Sequence, residues 1–314
     1  MSLPKIYSDE NAARRHLESL LWPDGPYCPH CGNADLQRIH KLQGKSTRPG
    51  VFKCNECEKP FSITVGTVFE RSHIPLHQWL YATHLLTASK KGFSAHQLHR
   101  TLKVSYKTAW FMMHRIREGM RPASLTPMGG AGRIVEIDET TSGRREGAPK
   151  HVTGGYHHRN IVMTLVERGG SARSFHVDGT TIGTLLPIIR ANVNRESAVM
   201  TDQASWYKNL KHEGGFAHHA SVNHEREEYV RREANFVVTT NSVEGFYSIF
   251  KRGMKGIYQH CAEKHLHRYL SEFDFRYTYR IRLGYDDDER AEIALKGIQG
   301  KRLTYRRPRE AANA

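Results

Sequence analysis

Three acids stand at positions that suit a pair of divalent ions. Asp138 follows the apolar run Ile134-Val135-Glu136-Ile137, Asp202 follows Ala198-Val199-Met200-Thr201, and Glu244 lies in Asn241-Ser242-Val243-Glu244-Gly245-Phe246-Tyr247. Mg²⁺ takes oxygen ligands, and a few carboxylates with substrate phosphate satisfy it. Two such ions about 3.5–4 Å apart clamp the attacking and leaving oxygens of an in-line phosphoryl transfer. The expected arrangement has Asp138 bridging two ions (Mg²⁺ or Mn²⁺), Asp202 holding one from the adjacent strand end, and Glu244 closing the other from a helix. A carboxylate ending an Ile-Val-Ile run costs stability unless it is paired or metal-bound. On the helix, Val243, Phe246, Tyr247 and Phe250 form an apolar stripe, and Asn241, Glu244, Ser248 and Lys251 share the other face. Lys251 lies two turns beyond Glu244, ~10.5 Å along the axis, where a lysine can hold a phosphate; Arg252 is a DNA-binding candidate beside it. Asn241 is read as an extra oxygen ligand or a helix cap. Glu136 and Glu139 are ranked behind the triad, as supporting or surface residues. Of the histidines in 216–224, His224 comes first as a contact to substrate or to the site wall, ahead of any second metal site.

The second chemical signal is sulfur. Cys28-Pro29-His30-Cys31 and Cys54-Asn55-Glu56-Cys57 form CxxC-x22-CxxC. Two such knuckles give a closed tetrahedral site, so Cys28, Cys31, Cys54 and Cys57 are expected to hold structural Zn²⁺, with no open position for catalysis. The alternative is four reduced cysteines without metal. Cys261 stands alone and reads as a small buried apolar residue.

Positioning these groups takes several elements. Residues 8–21 read as a short helix and 26–65 as turns and short strands. From 75 to about 90 the pattern is helical, with Leu76, Trp79, Leu80, Thr83 and Leu86 near one face. Residues 94–102 and 105–119 then read as a helix-turn-helix, each helix opened by a serine cap. Ser105, Tyr106 and Lys107 would face base edges, while His114, Arg115 and Arg117 would reach phosphates. The alternative is a small helical packing unit. Pro and Gly punctuate 121–132 as a linker. Strands follow at 133–138, 160–167 and 173–178, with 142–158 as a loop, then a helix at 180–195, a strand at 198–202 and helices near 241–252 and 262–281. The order β-β-β-α-β-α is that of a ribonuclease H-like fold, in which the first and fourth strands lie side by side and make Asp138 and Asp202 neighbours. The chain is therefore read as multidomain: an N-terminal helix (1–25), a zinc ribbon (26–70), a helix-turn-helix region (71–120), a linker (121–132), an α/β ribonuclease H-like catalytic domain (133–282), and a basic tail (283–314) expected to be partly disordered or to fold on a partner.

Bulk composition agrees. The 314 residues carry 47 Lys+Arg against 32 Asp+Glu, a formal net charge of +15, which argues for a polyanionic partner, nucleic acid before membrane. The alternative is a basic solvated surface. No run approaches the ~18 apolar residues of a membrane span, the N-terminus is not a secretory signal, and paired cysteines without a disulfide pattern fit a reducing compartment. The expectation is a cytoplasmic, nucleoid-associated protein with no membrane partner.

These residues together resemble bacterial insertion-sequence transposases of the DDE type with an N-terminal zinc ribbon. The resemblance spans roughly residues 10–282. It rests on the two cysteine knuckles, Phe61-Ser62-Ile63-Thr64-Val65-Gly66-Thr67-Val68-Phe69-Glu70, Ile74-Pro75-Leu76 and Trp79, Val135-Glu136-Ile137-Asp138-Glu139-Thr140, Val222-Asn223-His224, Thr240–Ser248, and Lys251-Arg252-Gly253. It implies binding of double-stranded DNA at terminal inverted repeats, Mg²⁺-dependent nicking, and attack of the freed 3′-OH on target DNA. Synapsis of two ends implies a homodimer or a larger assembly. It also implies a basic residue seven positions after the third acid, which Lys251 supplies. Where the family pattern has an aromatic residue and two glycines after Asp-Glu-Thr, this chain has Thr141-Ser142-Gly143. Two other readings stay open: a DNA-binding regulator with a vestigial catalytic fold, and a ribonuclease H-like nuclease or resolvase.

Overall fold

The structure, a computed structural model, describes residues 3–149, 158–208, 210–233 and 236–304. It forms two compact units: Met1–Ser89, Phe93–Arg121 and Asp286–Ala314 make the first, and Lys90–Gly92 with Pro122–Tyr285 the second.

In the first unit, Asp9 caps α1 (Glu10–Leu21) by accepting from the Ala12 amide at 2.6 Å. A three-stranded antiparallel sheet follows: β1 (Ile39–Lys41), β2 (Val51–Cys54) and β3 (Pro60–Ser62). Three helices come next, α2 (Leu76–Ala88), α3 (Ala95–Leu102) and α4 (Tyr106–Met120). Leu76, Trp79, Leu80, Thr83 and Leu86 are all buried, as helical spacing on one face requires. Serines 94 and 105 cap α3 and α4, accepting from the Gln97 and Thr108 amides.

The tail differs from expectation. Asp287–Lys296 form a helix, α9, packed against α2. Asp286 and Glu289 make a reciprocal capping box, and Ala291, Ala294, Leu295 and Ile298 are buried. A capped helix with an Ala/Leu face has apolar surface to bury, and charge-rich composition hides that. The stretch from 305 to 314 lies outside the described residues.

The second unit is built on a five-stranded sheet of order β6-β5-β4-β7-β8. Its strands are β4 (Ile134–Arg144), β5 (Arg159–Glu167), β6 (Ala172–Val177), β7 (Ala198–Asp202) and β8 (His218–Val222). β4, β5 and β6 pair antiparallel, whereas β7 joins β4 in parallel and β8 joins β7 in parallel. β4 does not end at Asp138; its β-branched Thr140 and Thr141 continue the ladder against β5, with a register shift at Ser142/Arg144 where Gly143 takes φ 66°. Of the loop expected at 142–158, residues 150–157 lie outside the described residues. β8 is a strand that the histidine-rich composition of 218–222 concealed.

Strand alternation divides the residues between the two faces of this sheet. Val135, Ile137, Met163, Leu165 and Val199 pack with α5 (Ile182–Asn192) and the short α6 (Leu210–Gly214). On the other face, Val162 and Val166 pack with α7 (Asn241–Gly253) and α8 (Leu266–Thr278), and Met200, Ala220, Val222 and Val238 form a smaller cluster. A two-stranded hairpin, β9 (Arg231–Arg232) and β10 (Val237–Val238), precedes α7. Among the described residues no helix is long and apolar enough to cross a membrane.

Candidate functional site

The four expected cysteines come together. Cys28 and Cys57 Sγ lie 3.6 Å apart, Cys31 and Cys54 Sγ 3.7 Å, and all four lie within 4.8 Å of one another. A tetrahedron with Zn–S bonds of about 2.3 Å has S···S edges of about 3.8 Å, so the thiols already stand at the spacing a zinc ion imposes, far beyond a disulfide bond. Among the described residues this is the only group of metal-ligating side chains gathered so tightly. Structural Zn²⁺ fits it. Replacing Cys54 with Ser is expected to open the ribbon to proteolysis within the first unit while the second unit resists as before. An unchanged digestion pattern, with zinc content retained, would refute the assignment.

The three acids also converge, by parity and pairing. The β4–β7 ladder pairs Glu136 with Met200. Asp138 and Asp202 are each two residues further along neighbouring strands, and so emerge on the same face, the one covered by α7. Burial, then the charges of Asp202 and Glu244, push the Asp138 carboxyl up to about 7 from its ordinary 3.8. The Glu139 amide, donating to Asp138 Oδ1 at 2.7 Å, and the Lys251 charge oppose that rise. Burial also raises Asp202, against a hydrogen bond from the Ala204 amide and the nearby His224. Glu244 accepts from Thr240 Oγ1 at 2.8 Å and lies 3.4 Å from His224 Nε2. The Tyr247 hydroxyl donates to the Asp138 carbonyl at 2.5 Å and fixes the strand at that point. Asp138, Asp202, Glu244, His224 and Lys251 thus share one place. All the offered donors except His224 and Lys251 are oxygens, and mutual repulsion among the acids is what a hard cation relieves.

Two glutamates ranked behind the triad turn out to be buried. Glu136, fully buried, pairs with Arg168 Nε at 2.6 Å and accepts from the Ser242 amide (2.7 Å), Ser242 Oγ (3.0 Å) and the Val243 amide (3.1 Å). It therefore caps α7 from β4. This corrects the reading of Asn241 as a helix cap: Thr240 occupies the cap position, its side chain accepting from no helix amide, and Asn241 is the exposed first residue of the helix. Glu139, on the opposite face, accepts from Trp206 Nε1 at 3.1 Å and from the Tyr207 hydroxyl. It ties the turn after Asp202 to the strand that bears Asp138. Parity was the signal available in the sequence: Glu136 shares a strand face with Asp138 and so could not be a surface residue.

The helix-turn-helix candidates divide. Ser105, Tyr106 and Lys107 are exposed at the start of α4, with the Tyr106 ring tilted by 31° to the His96 ring and 4.3 Å from it. Arg115 is a correction. Its guanidinium is buried, donates to the Glu70 carbonyl at 2.7 Å and the Leu303 carbonyl at 3.3 Å, and lies over the Trp79 and Phe111 rings. His114 and Arg117 are buried as well. At these helix positions the side chains face the α4 core, so none of the three reaches outward. Lys251 and Arg252 are exposed on α7, with Arg252 donating to Ser248.

Comparison with known proteins places both regions. Residues 129–278 match the family model described as ISXO2-like transposase domain, and residues 8–60 match the one described as Transposase zinc-ribbon domain. The chain is 26% identical over 292 residues to a protein of Halobacterium salinarum described as an uncharacterized protein in transposable element ISH50, covering 87% of this chain and 92% of the relative. A chain in the cryo-EM structure of the simian T-cell lymphotropic virus intasome in complex with PP2A regulatory subunit B56 gamma aligns at 14% identity with a TM-score of 0.29. The alignment covers 56% of this chain and 63% of that one, a likeness too slight to carry an argument. The chain thus carries a match to a transposase zinc-ribbon domain followed by a match to an ISXO2-like transposase domain, and it is similar along most of its length to a protein of a transposable element.

Proposed function

We propose that this protein is a transposase that cuts DNA at the terminal inverted repeats of its own element and joins the freed 3′-OH to target DNA, with Asp138, Asp202 and Glu244 holding two divalent ions on a ribonuclease H-like sheet. The observation that carries this reading is the convergence of three carboxylates from β4, β7 and α7, where burial first, and then the charges of Asp202 and Glu244, push Asp138 up to about 7. When bound, Mg²⁺ or Mn²⁺ would polarise the scissile phosphate and lower the cost of charge on the attacking and leaving oxygens.

The chain's own residues do the rest. Asp138 and Asp202 present oxygens from the sheet, and Glu244 faces them from α7. His224 and Thr240 hold the Glu244 carboxylate in place. Lys251 answers phosphate charge beside the acids. α3 and α4 act as a helix-turn-helix in which Ser105, Tyr106 and Lys107 meet base edges, a role their exposure supports. Two protomers are needed to synapse two ends.

The test is incubation of the full chain with Mg²⁺ and labelled DNA carrying the element's ends, beside Asp138→Asn. Nicked and joined products from the wild type alone are expected. Equal cleavage by the variant would remove the acids from the chemistry. Nicks with no joined product would favour a nuclease.

A further inference from the structure

The surroundings of the acids are asymmetric in charge. On one side lies the hairpin segment 224–233, which carries Arg226, Arg231 and Arg232 against Glu225, Glu227, Glu228 and Glu233. Arg231 there is already held by Glu228 at 2.6 Å and Glu233 at 2.9 Å. By contrast, residues 251–268, at the end of α7 and beyond it, carry five Lys/Arg and one acid, Glu263. That acid is itself engaged, accepting from the Glu146 amide at 2.5 Å.

The basic side is also ordered along a line. Asn241, Glu244, Ser248, Lys251 and Arg252 form an exposed row on α7 at spacings of three and four. The helix does not stop there. It passes into a π-helical turn, Met254–Tyr258, that carries exposed Lys255, with exposed His260 just beyond. Such turns inside or after helices recur at functional sites. Gly253 lets the turn sit tight, because a Cβ there would meet the Lys91 carbonyl and the Phe273 ring. Lys251 and Lys255 are about 6 Å apart along the axis, and one strand of a DNA duplex carries a charge every ~3.4 Å of duplex axis, so the pair can meet neighbouring phosphates.

We propose that the substrate strand leaves the acids along this row, with Lys255 as the next phosphate contact after Lys251, and that the hairpin side takes no phosphate. This rests on the reading of the site as one that acts on DNA. The test measures binding of full-length Asp138→Asn protein, which holds DNA without cutting it, to labelled end DNA over a series of salt concentrations. Adding Lys255→Ala is expected to weaken binding and to lower the slope of log affinity against log salt by about 0.9, the value for one phosphate fewer neutralised by the protein. Lys255→Arg should restore the slope, and Arg232→Ala, on the hairpin, should leave it alone. An unchanged slope in Lys255→Ala, or an equal fall in Arg232→Ala, overturns the proposed track while leaving the function intact. If the wild-type chain neither binds nor cuts the ends, the functional reading fails and the track falls with it.

Discussion

Asp138→Asn is expected to lose cleavage by roughly a thousandfold or more and, in the same sample, to melt at a higher temperature than the wild type when metal is absent at pH 8. The loss follows from removing a carboxylate that would bear on several kcal/mol of transition-state charge, each ~1.4 kcal/mol being tenfold in rate. The gain follows from linkage. The Asp138 carboxyl titrates near 7 in the fold, against 3.8 ordinarily, because burial and then the charges of Asp202 and Glu244 oppose its ionisation. Below pH ~4 it is protonated in both states and costs nothing. As pH rises from there through 7, the unfolded chain gives up the proton first, so stability falls, and above 7 the full cost stands at about 4 kcal/mol as an upper bound. Asparagine carries no such charge, so its advantage should appear between pH 4 and 7 and level off above. Adding Mg²⁺ should raise the melting temperature of the wild type and leave the variant unmoved. A variant less stable than the wild type at pH 8 would show that the buried Asp138 charge carries no such cost, and one equally stabilised by Mg²⁺ would take Asp138 out of the metal site.

Glu136→Ala should have the opposite character, a large loss of stability. Its carboxylate is fully buried and meets Arg168 and both the backbone and hydroxyl of the first turn of α7. Removing it leaves Arg168 Nε and two helix N–H groups without their acceptor, although the guanidinium keeps the Val237 and Thr239 carbonyls, and breaking a buried pair in this way costs roughly 3–5 kcal/mol. For a unit of this size that is a fall of about 6–20 °C in melting temperature. Because α7 carries Glu244, metal-induced stabilisation should weaken too. The double variant Glu136→Ala/Arg168→Ala should cost less than the sum of the two single changes. Strict additivity, or a melting temperature within a degree or two of the wild type, would refute the cap.

The three acids stand out in the sequence because Asp138 and Asp202 follow short apolar runs and Glu244 lies on the polar face of a helical stripe. The sequence shows their supports poorly. Glu136 and Arg168 are 32 residues apart and meet only through the pairing of β4 with β5, a non-local fact. The strand at 218–222 was obscured because His-His-Ala-Ser-Val lacks the apolar alternation of a half-buried strand, although Ala220 and Val222 are its buried positions. Arg115 was read by charge alone; every residue of α4 from Met112 to Met120 is buried, and the guanidinium lies over the Trp79 and Phe111 rings. The helix Asp287–Lys296 was legible in Asp286-x-x-Glu289, a capping box that composition obscured.

The way the first unit is assembled bears on how the protein is made. α2 and α9 pack together, yet about 200 residues separate Ala88 from Asp287 in the chain. At ~5–20 residues per second, a ribosome needs roughly 10–40 s to deliver the second partner after the first. Throughout that interval the α2 surface that meets α9 has no cover, while the residues of the α/β unit are added one after another. A chain stalled before residue 286 would therefore hold a complete set of acids and an unfinished first unit. The order of synthesis makes the region with the zinc ribbon the last to mature, although it is the first to be translated.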